Sequence, residues 1–255
     1  MTAPAQFLAS AIAACSVMPM IVCVSTQSHA AGSAYQVDTG EVNDPGFCKV
    51  DTWASFSNKR DTATDKRDFF SSVSPNCSLP VGFPFELSAQ FTRSRTDGEW
   101  DSGVIPKFAL GLLAGDLGKP NVAFTGALTY DFTSSQATAI NFAVPVSVRL
   151  VDALRINANA GWLYDRTMDR HYLSYGLGVD LRTPGNVWQL TAEVFGQALN
   201  SADPPSAAQP RYQIGLRWRP VFEWSIDGIY GRNITGNNGS WFTVAMVRRW
   251  PPKPQ

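Results

Sequence analysis

The stretch ALRINANAGWLYD, residues 153–165, limits what this chain can fold into more than any other. In an extended strand Leu154, Ile156, Ala158, Ala160, Trp162 and Tyr164 share one face, and Arg155, Asn157, Asn159 and Gly161 share the other. The same period of two recurs in VAFTGALTYDF, INFAVPVSVRL, YLSYGLGVDLR and YQIGLRWRP. About twelve such strands are expected, near 47–56, 68–77, 83–93, 103–112, 121–132, 138–150, 153–164, 171–182, 186–197, 210–219, 222–231 and 239–250. Strands of a soluble sandwich are usually about 5–6 residues long, whereas a tilted strand that crosses a bilayer needs about 9–11. The runs here have the second length. Their apolar row then meets lipid and their polar row a wet lumen, which predicts an all-β, antiparallel, up-and-down transmembrane barrel.

The first residues are of another kind. No Asp, Glu, Lys or Arg occurs before Asp38, and the apolar FLASAIAACSVMPMIVCVS is followed by polar TQSHA. Ser28 and Ala30 are the small residues of a signal-peptidase site, so a signal peptide over 1–30 is expected, although it lacks a basic start. An uncleaved anchor is the alternative, against which Pro19 and the polar exit both argue. The remaining chain divides into an N-terminal periplasmic segment (31–46), the barrel (47–250) and a Pro-rich tail (251–255). Beyond the leader only Cys48 and Cys77 remain of the cysteines. Cys48 begins the first strand and Cys77 ends the second, so antiparallel pairing brings them to one rim, where an exported protein forms a disulfide. His171 is the one histidine past the leader, and there is no CxxC, so no metal or other cofactor is expected. Lys+Arg and Asp+Glu both number 21, which gives no basic stripe for nucleic acid.

With a periplasmic N-terminus the connections VDA, TPGN and RPV fall inside, while SNKRDTATDKRD, RSRTDGEWDS, DRTMDR, ALNSADPPSAAQ and GRNITGNNG fall outside. Short turns inside and longer loops outside are the rule for such barrels. GLLAGDLGKPN and TSSQA depart from it. The expected inward rows carry Glu86, Gln90, Lys107 and Asp131 on the early strands, then Arg149, Arg155, Asn157 and Asn159. Asp180, Arg182, Glu193, Arg217, Arg219 and Asp227 complete them. These rows either line a channel for a small solute or pair with one another and fill a narrow barrel. Arg149, Arg182, Arg217 and Arg219 lie near periplasmic strand ends, where they suggest a basic collar. Trp162, Tyr164, Trp218, Trp224 and Trp250 are expected in the interfacial girdle, with Trp53, Trp188, Tyr230 and Trp241. In the order His171-Tyr172-Leu173-Ser174 the histidine and serine fall on opposite faces, so no catalytic residue is assigned.

The closing segment YQIGLRWRPVFEWSIDGIYGRNITGNNGSWFTVAMVRRW, 212–250, ends in an aromatic with Phe242, Val244 and Met246 alternating before it. It resembles the last strands of proteobacterial outer-membrane barrels grouped with the meta-pathway of phenol degradation, a transporter-like family. PNCSLPVGFPFELSAQF, 75–91, resembles an early hairpin of the same group more weakly. Arg248, at a position usually apolar, and PPKPQ after the terminal aromatic depart from the pattern. The resemblance implies a Gram-negative outer-membrane location and passage of a small solute. An aromatic solute is suggested by the resemblance alone. The alternative is a closed structural or adhesive barrel with charged surface loops; a lipid-modifying enzyme and a soluble exported sandwich rank below both. The expected partners are outer-membrane lipid and a small molecule, with the oligomeric state unspecified.

Overall fold

The computed structural model describes residues 34–58, 67–96, 99–198, 210–235 and 239–250. The leader, the tail and parts of the outer loops lie outside the described residues. Twelve strands form: β1 (Cys48–Asn58), β2 (Arg67–Ser78), β3 (Phe85–Thr96), β4 (Glu99–Leu113), β5 (Pro120–Asp131) and β6 (Gln136–Val151). Then come β7 (Leu154–Asp165), β8 (Arg170–Arg182), β9 (Trp188–Ala198), β10 (Arg211–Val221), β11 (Trp224–Asn233) and β12 (Ser240–Trp250). Each pairs antiparallel with its sequence neighbours, and β1 pairs with β12 to close the barrel. Closure leaves no open edge, which a lipid environment requires of any sheet.

Pro75 and the weak alternation of DFFSSVSPNCS do not prevent β2. Its ladder with β3 runs from Val73↔Phe91 to Asn76↔Ser88 without a change of register, passing over the proline that has no N–H to give. The outer loop expected at RSRTDGEWDS is mostly strand, since β3 continues to Thr96 and β4 starts at Glu99. The two strands stay paired up to Thr96↔Glu99.

The barrel is inside out relative to a soluble protein. On β8, Leu173, Leu177 and Leu181 are 50–58% exposed, while Asp180 and Arg182 are 0% and 7% exposed. Among the described side chains, the acids and lysines of the strands lie on inward rows, and the charges on outward rows are all arginines: Arg93, Arg95, Arg232 and Arg248. On the lipid face an arginine costs about 2–4 kcal/mol at mid-bilayer and about 0–1 near the interfaces. All four stand near strand ends. Arg248 lies 4.6 Å from the Trp224 ring and 5.8 Å from that of Trp250.

Trp162, Trp218, Trp224 and Trp250 are exposed on the outer wall, and Tyr164 is half-buried beside Trp162. Trp53 and Trp241, expected in the same girdle, point inward instead. They share the parity of Asp51 and Thr243, and Trp241 lies so close over Gly231 that a Cβ there would come within 2.1 Å of the indole. Cys48 and Cys77 sit directly opposite in the β1–β2 ladder, with Cα atoms 4.1 Å apart, and are disulfide-bonded. This bond marks the rim with the shorter connections, periplasmic by the rule that such turns are short.

Candidate functional site

The inward rows of β7–β11 build a buried polar wall. Asp180 is its centre: one carboxylate oxygen accepts from Arg155 Nε (3.0 Å), Arg155 Nη2 (2.9 Å) and Asn157 Nδ2 (2.8 Å). The other accepts from Thr191 Oγ1 (2.6 Å) and Gln189 Nε2 (3.0 Å). Further round, Arg217 Nε donates to Asp227 Oδ1 (2.7 Å), and Gln213 Nε2 donates to Glu193 Oε2 (2.6 Å). Strand periodicity explains the convergence, because Arg155↔Asp180 and Arg217↔Asp227 are direct cross-strand partners.

Residues 34–46, expected in the periplasm, form a strap across the lumen. Tyr35 Oη donates to Asp227 (3.2 Å), and the Gln36 and Val37 amides donate to the Glu193 carboxylate (3.0 and 3.3 Å). Burial, with the Asp227 carboxylate beside it, holds the Tyr35 phenol well above its ordinary pKa, so it remains a neutral donor. Asp38 takes an ion pair from Lys107 on the opposite wall at 2.5 Å. With its amide oriented to satisfy both groups, Asn159 accepts from the Asp38 N–H (2.7 Å) and donates to its carbonyl (2.8 Å). The Gly40 amide donates to Ser147 Oγ (2.8 Å). Glu41 is forked between Arg149 Nη2 (3.1 Å) and Arg155 Nη1 (2.6 Å). Asn43 donates to Glu86, which also accepts from Asn76.

Glycines make the seat for this segment. A Cβ on Gly215 would lie 2.3 Å from the Tyr35 hydroxyl, and one on Gly176 would lie 2.8 Å from Val37. Gly40 in turn passes so near the Asn121 carbonyl that a Cβ would be 2.2 Å from its oxygen. Strap and wall fit because side chains are missing on both sides.

Beside the strap a cavity of about 590 Å³ remains along the inward rows of β1–β5, reaching from Lys49 and Asn76 near the periplasmic strand ends to Gln197 and Arg211 near the outer ones. Gln90, Lys107, Glu86 and Asn159 line it, together with Trp53, expected in the girdle but stacked here at 4.7 Å on Phe70, and with Phe70, Phe195 and Arg211, which the sequence did not single out. Arg155, Asn157, Asp180, Arg182, Glu193, Arg217 and Asp227 are buried in the wall or under the strap. Arg219 is half-buried near the periplasmic rim. Asp131, at the outer end of an inward row, accepts from the Ser134 amide (2.7 Å) in the β5–β6 turn. One expectation is corrected. The basic collar is no open ring, since Arg149 is paired with Glu41 and Arg217 with Asp227.

A closed twelve-stranded barrel with a lipid-facing exterior and a polar, strapped lumen defines the class: an outer-membrane β-barrel. The chain belongs to the family described as "Uncharacterised conserved protein UCP029691", whose pattern matches residues 19–250. None of the curated proteins matches the sequence significantly. Among solved structures it is similar to the KdgM porin, with a TM-score of 0.60, 9% identity, and coverage of 80% of this chain and 99% of that one. It is also similar to the NanC porin (TM-score 0.57, 8% identity, 79% of this chain, 100% of that one). A third is the COG4313 outer membrane channel from Pseudomonas putida F1 (TM-score 0.58, 10% identity, 84% of this chain, 100% of that one). At such identities the likeness is one of fold.

Proposed function

We propose that the protein is a channel for a small solute across the outer membrane, held shut by its own residues 34–46. The strap carries this reading. It occupies a lumen that keeps about 590 Å³ of space, and the barrel closes through β1 and β12 without it. No rung of the barrel ladder has to break for it to leave. The similar structures are porins and an outer membrane channel, and one KdgM structure is a complex with disordered oligogalacturonate. The resemblance to the phenol meta-pathway group makes an aromatic solute the first to test, and Trp53 on Phe70 offers it a stacking surface beside Lys107 and Arg211.

A closed structural barrel is the second reading, favoured by the network around Asp180 that fills one side of the lumen. We read the chain as non-enzymatic. One similar structure is the outer membrane phospholipase A of Escherichia coli, in the form of an active-site mutant (TM-score 0.52, 10% identity, 88% of this chain, 95% of that one). Here, however, His171 stacks on the outer wall against Tyr164 (4.8 Å) and Trp162 (5.5 Å), and Ser174 lies on the inward row.

The test is conductance in a planar bilayer of residues 31–255 and of the same chain lacking 34–45. Rare openings in the first and steady conductance in the second are expected. Two silent proteins, both folded by heat-modifiable migration, would sink the channel and leave the closed barrel. A benzoate or phenol series that leaves the strapless current unchanged would remove the aromatic solute.

A further inference from the structure

The outward wall of β12, β1, β2 and β3 carries a groove of about 500 Å³ that the lumen does not explain. Its floor is Thr52, Ala54 and Ser71, where neighbouring strands present Leu, Val or Phe. Two cross-strand rows set its shape: Met246–Thr52–Val73–Phe91 and Val244–Ala54–Ser71–Arg93. Met246 and Val244 form one bank, and Phe91 and Arg93 the other. The apolar lining suits an acyl chain lying along the strands.

At the outer end of the groove the chemistry changes. Arg93 leans away from mid-bilayer toward Trp100, which is level with Arg95 in the ladder, and its guanidinium sits 4.6 Å from the ring centre. Arg95 approaches the same ring at 5.8 Å. Phe69 packs edge-on against Trp100 at 6.1 Å, and Phe56 packs against Phe69 at 5.2 Å, forming an aromatic ridge at that height. Stacking on an indole fixes a guanidinium while leaving its edge N–H groups for an anion, and two guanidiniums over one ring match a phosphate. No acid of the described strands shares the lipid-facing rows with them.

We propose that this groove binds a phosphorylated glycolipid of the outer leaflet, one acyl chain lying over Thr52, Ala54 and Ser71 and a phosphate held by Arg93 and Arg95. A second copy of the barrel fits worse. Two parallel barrels meeting through this face would be related by an axis along the membrane normal, which would set Arg93 and Arg95 against the apolar Val244–Phe242 bank of the other copy and bury two guanidiniums with no acid to pair them. The inference needs only the membrane placement of the barrel and is independent of solute passage.

Native mass spectrometry tests it, with the purified mature barrel in micelles doped with bis-phosphorylated lipid A, its dephosphorylated form or phosphatidylcholine. The wild type is expected to retain the phosphorylated probe about tenfold or more over the other two. R93Q/R95Q is expected to lose that preference and A54L to weaken retention of the probe, while R248Q, at the other rim, keeps both. Heat-modifiable migration confirms that each variant is folded. Equal retention of phosphorylated and dephosphorylated probes by the wild type, or an undiminished preference in R93Q/R95Q, overturns the proposal. A dimer that A54L dissociates also overturns it and assigns the groove to a second copy.

Discussion

The lumen has two unlike walls, and they explain each other. From β7 to β11 the inward rows carry Arg155, Asn157, Asp180, Glu193 and Arg217, long side chains that meet and fill the space. From β2 to β5 the corresponding rows carry Ser74, Gln90, Ala109 and Thr125, and the cavity lies against them. Strand number sets one radius for both walls, so side-chain length decides which side is full. The strap joins the two. Tyr35 and Val37 pack on glycines of the filled wall, and Asp38 and Asn43 reach Lys107 and Glu86 on the hollow one.

The sharpest way to break this contrast is Asp180→Ala. It takes from Arg155 the carboxylate that holds its Nε and Nη2, with Glu41 still on Nη1, and leaves Asn157, Gln189 and Thr191 without their common acceptor; breaking a buried pair of this kind costs about 3–5 kcal/mol. A drop of that order in urea unfolding of the refolded barrel is expected; a change below 1 kcal/mol, on the order of a surface substitution, would show that the filled wall is dispensable. Next comes C48S/C77S, for which disulfide loss predicts about 2–4 kcal/mol in the same assay. Its effect should match that of a reducing agent on the wild type. Gly215→Ala crowds the Tyr35 hydroxyl and is expected to cost about 1–3 kcal/mol through the strap rather than the barrel. Raised proteolysis of residues 34–46 with unchanged heat-modifiable migration is the expected signature. Gln90→Ala, on the hollow wall, should change stability by no more than about 0.5 kcal/mol. A larger loss would mean that the hollow wall also carries load.

Much of this was legible in the chain. Alternation located the strands and the inward row of β7, because one strand with an arginine and two asparagines opposite Trp162 and Tyr164 has few placements. The cysteine pair followed from the same reasoning. Trp53 and Trp241 were misplaced because proximity to a strand end was given more weight than parity. The strap was not seen because residues 34–46 show neither period. Two signals were present: inward glycines at 176, 178 and 215, which leave the wall room to receive something, and acids at 38 and 41 beside an inward row rich in arginine. The groove of β1–β3 was hidden because small residues in a strand mean nothing until their neighbours in adjacent strands are known.

The root of the strap has a consequence for how a solute would compete with it. The Gly46 amide donates to the Ser78 carbonyl (2.9 Å) and the Ser78 amide to that of Phe47 (2.8 Å), next to the Cys48–Cys77 bond. The segment is therefore a tethered ligand rather than a free one. A short flexible tether holds its cargo at an effective concentration on the order of millimolar. Reclosure is then independent of how much protein the membrane contains, and a solute that binds the Glu41 site on Arg149 and Arg155 has to outcompete a millimolar occupant that never diffuses away.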